Sequence, residues 1–246
     1  MRTRTSSPPP ATATIDDHAP PAARPTVPLV AGALAGPLLV ASSLAQGAVR
    51  DGFDFAQHPP SALALGDGGI IQVATFVASG ALLITGAFGL RDTLTGIGSR
   101  WAPRLVTVLG GTLALAGVFR MDPAFGFPPG TPPGIGDTVS WHAALHGMLF
   151  PLGFVALMSC VAVFARRYGR QQRRSMRVTA LVAGVLTLLV AWPNLGGSPD
   201  GRFLPMLAGI AIGYGWTSLM FLDVLVYPPT RLPAVRDRQA AGAGSR

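Results

Sequence analysis

Two histidines and one aspartate form the most distinctive chemical pattern in the chain. His142 and His146 are four residues apart, so on a helix they share one face. Asp122 follows the preceding apolar segment, and both imidazole and carboxylate groups are ligands of zinc. These three residues are candidate metal ligands, with zinc as the candidate cofactor. The alternative is that the histidines form hydrogen bonds with polar groups at a membrane interface, and it is favoured because HxxxH spacing is common.

The same region suggests a metal-dependent intramembrane hydrolase. Its candidate catalytic residues are Ser61, Asp122 and His142. Bound zinc would activate a water molecule, and Asp122 or Ser61 would orient that water. The third histidine ligand would then be His58, from a proline-rich segment. The chain contains no HExxH, GxSxG, Walker or dinucleotide-binding motif, so the sequence leaves open whether the protein is an enzyme.

Two arginines stand at the ends of apolar segments on the same side as these residues. A guanidinium group binds carboxylates and phosphates well, so Arg50 and Arg120 suggest a clamp for an anionic headgroup. The candidate ligand-binding residues are Arg50, Asp54, His58 and Arg120. The alternative, pairing of the two arginines with Asp51, Asp54 or Asp122, is favoured because exposed pairs of this kind are common and weak.

Six apolar segments must position these residues. Each has about 18 to 25 residues, enough for a helix rising 1.5 Å per residue to cross a hydrocarbon core of ~30 Å. The segments are Pro28–Val49, Gly69–Leu90, Ala102–Phe119, Trp141–Ala165, Val178–Leu195 and Phe203–Tyr227. The predicted fold is an all-α membrane bundle of six helices over residues 28–227. A disordered, cytoplasmic Pro/Ala-rich tail over 1–27 and a flexible cytoplasmic tail over 228–246 flank it.

Composition and charge agree with a membrane protein. Only 12% of the 246 residues are charged and 49% are hydrophobic, whereas a soluble domain carries about a quarter charged residues. The absence of lysine and glutamate indicates GC-rich codon usage and a bacterial source. With the N-terminus inside, 16 of the 19 arginines fall on the cytoplasmic side, which predicts a multi-pass protein of the inner (plasma) membrane with both termini cytoplasmic.

This arginine distribution also accounts for the net charge of +8 without a nucleic-acid partner. The bilayer is the expected partner, with anionic lipid near Arg166–Arg177. One cysteine, Cys160, excludes an internal disulfide. The small-residue pairs Gly32/Gly36 and Gly209/Gly213 predict close helix packing but do not establish an oligomer.

The segment between the third and fourth helices contains five prolines and four glycines over Pro123–Gly136. This composition predicts an ordered, irregular loop over the outer rim, held by Phe125 and Phe127. We further expect Asp122 and His142 to meet at this rim, and His146 to point into the bundle rather than to lipid.

On these outer segments the chain resembles the bacterial and archaeal membrane proteins grouped as domain of unknown function 998. The resemblance covers about Pro28 to Tyr227, and Arg120-Met121 departs from the expected proline-containing step before the aspartate. The matching features are Arg50 with its aromatic-Asp loop, His58-Pro59-x-Ser61-x-Leu63-x-Leu65-Gly66, Phe76, Gly80, Gly117-x-Phe119-x-x-Asp122, Gly126-x-Pro128 and His142. The resemblance implies a multi-helix membrane domain and supplies no established reaction.

Three functions therefore remain open. The first is an integral membrane protein whose outer rim binds a small ligand or lipid headgroup through its Asp, His and Arg cluster. The second is the hydrolase described above. The third is a small-solute transporter, against which stand the lack of a charged residue at mid-membrane and of an internal repeat.

Overall fold

The computed structural model describes residues 25–194 and 201–228. Those residues form six α-helices and no β-strand, which confirms the predicted all-α fold. All six helices are long and apolar enough to cross a membrane. They are α1 (Thr26–Val49), α2 (Gly69–Thr93), α3 (Trp101–Val118), α4 (Trp141–Arg170), α5 (Arg174–Ala191) and α6 (Leu204–Val226). The predicted tails lie almost wholly outside the described residues.

The largest differences from the predicted boundaries concern α4 and α5. Helix α4 continues five residues past Ala165 through an arginine-rich turn, because long arginine side chains can reach water while the helix backbone stays paired. Helix α5 begins earlier, at Arg174, and ends at Ala191. The Trp192–Asn194 segment forms a short 3-10 turn instead, since Pro193 cannot donate the backbone hydrogen bond that an α-helix needs.

The six helices form a closed ring in chain order. Each helix packs against the next, and α6 packs back against α1. Helices that follow one another in the chain are usually neighbours in space, as they are here. A 3-10 helix, Pro60–Ala64, packs against α1, α2 and α3 between the first two spans. We call the end where α1, α3 and α5 finish the vestibule end, and the opposite end the arginine end.

Small residues allow close contact inside this ring. A Cβ added at Gly36 would overlap the backbone of Tyr214 on α6, and one at Gly209 would contact Ala191 on α5. Gly32 and Gly213 also face other helices of the same chain. The two predicted glycine pairs therefore pack within one bundle.

A polar network joins α1 to α2 within the apolar spans. Gln46 donates to the Gln72 side-chain carbonyl at 2.7 Å, and Gln72 donates to Ser43 at 3.0 Å. Ser42 and Thr75 are hydrogen-bonded beside them at 2.7 Å. Gln72 is fully buried, and this network pairs its amide oxygen and nitrogen, which would be unfavourable in lipid. The Gln46 Oε1 has no partner among the described residues.

At the arginine end, two arginines bind groups of other elements. Arg167 donates to the carbonyl oxygens of Thr95 and Ile97 in the loop between α2 and α3, at 2.8 and 2.7 Å. Arg173 forms a two-bond ion pair with Asp223 of α6, and this hydrogen bonding raises the pKa of Arg173. Asp223 is therefore buried in an ion pair.

Candidate functional site

A central cavity of about 110 Å3 lies inside the ring, towards the vestibule end. It receives side chains from all six helices, and nearly all of them are apolar. Those lining residues include Leu39, Phe76, Leu109, Leu113, Ala116, Leu149, Phe154, Leu157, Leu207, Ile210 and Tyr214. This space is somewhat smaller than the roughly 150 Å3 apolar cavity that holds benzene, so it suits only a few carbons of a hydrocarbon chain.

A larger cavity of about 530 Å3, which we call the vestibule, lies above the first. Its wall comes from the α3–α4 loop, the start of α4 and the start of α6. Four residues line both cavities, namely Ser61, His146, Phe150 and Met206. The vestibule, whose wall includes the polar side chains of Asp122 and Asn194, and the central cavity therefore adjoin across a shared wall.

The α3–α4 loop forms one wall of the vestibule and contains no regular helix or strand over residues 123–136. Phe127 is buried against Ala62 and Leu65, and Phe125 packs edge-on against Phe203. Backbone hydrogen bonds inside the loop keep it ordered, such as that from Phe125 N–H to the Gly134 carbonyl at 2.7 Å. The predicted ordered, irregular loop is confirmed, including the part played by the two phenylalanines.

Asp122 and His142 meet through one hydroxyl group. Ser140 donates its backbone N–H and its Oγ–H to the Asp122 carboxylate at 2.7 and 2.6 Å, and its Oγ lies 2.8 Å from His142 Nδ1. Since the single hydroxyl proton goes to Asp122, His142 Nδ1 is the donor to Ser140. The hydrogen bonds from Ser140 hold the pKa of Asp122 below its usual value.

This arrangement is a reinforced helix cap. Ser140 Oγ also accepts the Ala143 backbone N–H at 3.2 Å, as an N-cap residue does. Asp122 in turn fixes Ser140, so the carboxylate ties the end of α3 to the start of α4. Asp122 also lines the vestibule, but His142 does not.

His146 is placed as the sequence predicted, on the side of α4 that faces the cavities. Its Nδ1 lies 2.7 Å from the Phe119 carbonyl oxygen at the end of α3. A carbonyl oxygen only accepts, so Nδ1 carries the proton and Nε2 is the acceptor of the neutral ring.

The three candidate metal ligands have separate partners. Asp122 binds Ser140, His142 binds Ser140, and His146 binds the Phe119 carbonyl. Within residues 25–194 and 201–228, no group of three or more His, Cys, Asp or Glu side chains is arranged to hold a metal ion. Ser61, a candidate catalytic residue, donates a hydrogen bond to the Met121 sulfur at 3.4 Å and lines both cavities.

Three of the four candidate ligand-binding residues, Arg50, Asp54 and His58, hold the first loop together. Arg50 donates to the Leu63 and Leu65 carbonyl oxygens and lies over the Phe127 ring. His58 is buried, accepts the Asp54 backbone N–H at Nδ1 and donates from Nε2 to the Phe125 carbonyl.

Neither remaining member of that set faces the cavities. The Asp54 carboxylate accepts the Ala56 backbone N–H and the Gln57 side-chain amide, which lowers its pKa. The Arg120 side chain is exposed. None of the four residues lines either cavity. Neither arginine forms an ion pair with an aspartate in the part of the chain that the structure describes.

Two further polar residues border the cavities, and the sequence did not single them out as ligand-binding. Asn194 is 5% exposed and lines the vestibule, and its Oδ1 has no hydrogen-bond partner among the described residues. Thr187 is 2% exposed and lines the central cavity, also with an unpartnered oxygen. In the sequence, Asn194 and Thr187 are marked only as polar residues in otherwise apolar segments.

Comparison with family models identifies the chain. The model described as "Protein of unknown function (DUF998)" matches residues 33–223, which span all six helices. The chain therefore belongs to the DUF998 family of membrane-spanning proteins. Comparisons with curated proteins and with solved structures gave no match.

Proposed function

We propose that this DUF998 protein binds an amphipathic small molecule drawn from the bilayer. The polar head of the molecule would occupy the vestibule, and its hydrocarbon part would enter the central cavity. The observation that carries this proposal is the shared wall of Ser61, His146, Phe150 and Met206, where a mainly apolar cavity meets a larger one whose wall carries more polar groups. Binding pockets combine apolar walls with a few placed polar groups in this way.

The hydrolase hypothesis has less support. Asp122 and His142 are engaged in a helix cap, and no hydrogen bond joins Ser61 to Asp122, His142 or His146 within the described residues. Activation of water by zinc would need ligands that converge on one point, whereas Asp122, His142 and His146 have separate partners. A protein that binds a molecule without reacting with it needs only the two cavities and no arrangement of catalytic groups.

At the arginine end we propose contact with anionic lipid headgroups. Arg167 and Arg173 are engaged by protein groups, so the exposed cations of the segment carry this role. They are Arg166, Arg170, Arg174 and Arg177. Basic residues beside a membrane are attracted to anionic lipid by about 1 kcal/mol each.

The cavity proposal is tested by filling the central cavity. Ala116 is partly buried and lines that cavity, so Ala116→Leu places three extra carbons inside it. The probe is tetradecanol with a diazirine in the middle of its chain, photolysed with the purified protein in detergent micelles. We expect labelling of α3, α4 and α6, and a loss of at least about fivefold in the variant, because overfilling removes the space that the probe needs.

The matched control is Ala78→Leu, at an exposed position on α2 that lines neither cavity. Its labelling should equal that of the unaltered protein. Label spread over the lipid-facing surface and insensitive to Ala116→Leu would contradict the proposal.

A further inference from the structure

We infer that the bound molecule has a hydrogen-bond-donating, non-anionic head, that is, a hydroxyl or an amine. This inference rests on the proposed function and specifies the class of ligand. It also replaces the anionic headgroup that the arginines in the sequence suggested.

The first observation is an acceptor without a donor. Asn194 follows α5, and its Nδ2 donates to the Arg202 carbonyl oxygen at 2.9 Å. This bond fixes the orientation of the amide, so Oδ1 is the atom left over. That oxygen is buried at the vestibule wall, with no partner among the described residues. Buried carbonyl oxygens are nearly always paired, so a donor supplied by a ligand would complete this group.

The other polar groups of the wall are also able to accept. His146 presents Nε2 as the acceptor of its neutral ring, because Nδ1 donates to Phe119. Ser61 directs its hydroxyl proton to the Met121 sulfur, so its oxygen lone pairs remain. Asp122 contributes a carboxylate. A head that donates hydrogen bonds matches this set better than one that only accepts them.

The charge of the vestibule excludes anions. Asp122 is the acidic residue on the described wall. No arginine is among the described lining residues, and the chain has no lysine. Residues 195–200, outside the described part, contain no basic residue either. A phosphate or carboxylate head would meet a negative charge without a cation to offset it.

The test compares four amphipathic molecules that share the same hydrocarbon chain and differ in their polar head. Tetradecanol, tetradecylamine, tetradecanoate and tetradecyl phosphate compete with the diazirine tetradecanol for photolabelling of the purified protein at neutral pH. We expect the alcohol and the amine to compete at least about tenfold more strongly than the two anions, because each matched hydrogen bond to a buried group contributes roughly that factor. The relative strength of the alcohol and the amine shows which of the two heads the site prefers.

Two variants test whether Asn194 recognises the polar head of the ligand. Asn194→Leu should weaken competition by the alcohol about fivefold to tenfold, for loss of one acceptor. Thr187→Val is the control, because it removes the unpartnered oxygen of the central cavity without changing the vestibule. It should leave the order of the four heads unchanged. If Asn194→Leu does not fold, Asn194→Asp keeps an oxygen acceptor and should shift the preference towards the amine.

The outcomes separate the two proposals. Labelling that maps to the central cavity but is displaced as well or better by the anions would overturn this inference and leave the proposed function standing. An Asn194→Leu protein that folds and keeps the full preference for the alcohol would also overturn it. Absence of cavity labelling by any probe would overturn the proposed function itself.

Discussion

Two arginine side chains of the described residues, Arg50 and Arg167, bind backbone carbonyl groups. Arg50 binds carbonyl oxygens after the 3-10 helix, and Arg167 binds those of the α2–α3 loop. Each guanidinium carries five hydrogen-bond donors, so one side chain can bind several carbonyl oxygens of the same loop. The sequence indicated which arginines stand at helix ends. It could not indicate their partners, because a carbonyl group is present at every residue.

The ion pair between Arg173 and Asp223 gives a prediction at the level of single residues. Arg173→Gln leaves the Asp223 carboxylate, only 6% exposed, without its cation. We expect the free energy of unfolding to fall by roughly 3 kcal/mol, because an unpaired buried charge is strongly unfavourable. Denaturant-induced unfolding in detergent micelles measures this change.

The control for that prediction is Arg174→Gln, one residue along the chain and exposed. Its effect should stay within about 0.5 kcal/mol, as for most surface substitutions. Equal losses in both variants would show that general charge, and not the pair with Asp223, stabilises this end of the bundle.

At the scale of helices and loops, the sequence predicted most of the structure. Apolar length alone located all six helices, and the prolines and glycines between Pro123 and Gly136 predicted an irregular loop. The site was only partly predictable. The sequence placed Asp122 and His142 together, but it did not show that Ser140 joins them or that Asn194 lines the vestibule. Those contacts depend on how separate helices pack against one another. The apolar pattern of the sequence does not specify that packing.

Close packing of α2 and α3 gives a prediction at this scale. A Cβ added at Gly80 would overlap the carbonyl oxygen of Gly110, and neither backbone can move without separating the helices. We expect Gly80→Ala to lower the free energy of unfolding by about 1–3 kcal/mol, as overpacking does in other cores. Unfolding in detergent micelles measures the loss.

The matched control is Gly111→Ala on α3, where an added Cβ would meet nothing within 4 Å. That variant should be neutral or more stable by up to ~1 kcal/mol, because alanine favours a helix over glycine. A Gly80→Ala protein as stable as the Gly111→Ala protein would contradict the packing described here.

Across the whole molecule, the two ends of the ring differ in what fills them. The arginine end is closed by Arg167 and by the pair of Arg173 with Asp223. The vestibule end contains both cavities. No residue of α4 before Gly153 is buried. This half of α4 is therefore exposed at the end of the ring that contains the cavities. A molecule from the adjacent leaflet would have its shortest route there.

The arrangement of charge predicts which way this ring faces in the membrane. Sixteen of the 19 arginines belong to the tails and to the connections at the arginine end, and only Arg50, Arg120 and Arg202 belong to the other end. Because positively charged segments are retained in the cytoplasm, we expect both termini inside and the vestibule outside. Reporter fusions at Arg24, Arg170 and Arg238 should therefore all read cytoplasmic, while a reporter inserted at Gly130 of the α3–α4 loop should read external. An external signal at Arg170 would reverse the orientation and would place the ligand site on the cytoplasmic leaflet, because six spans link the positions of all the connections to one another.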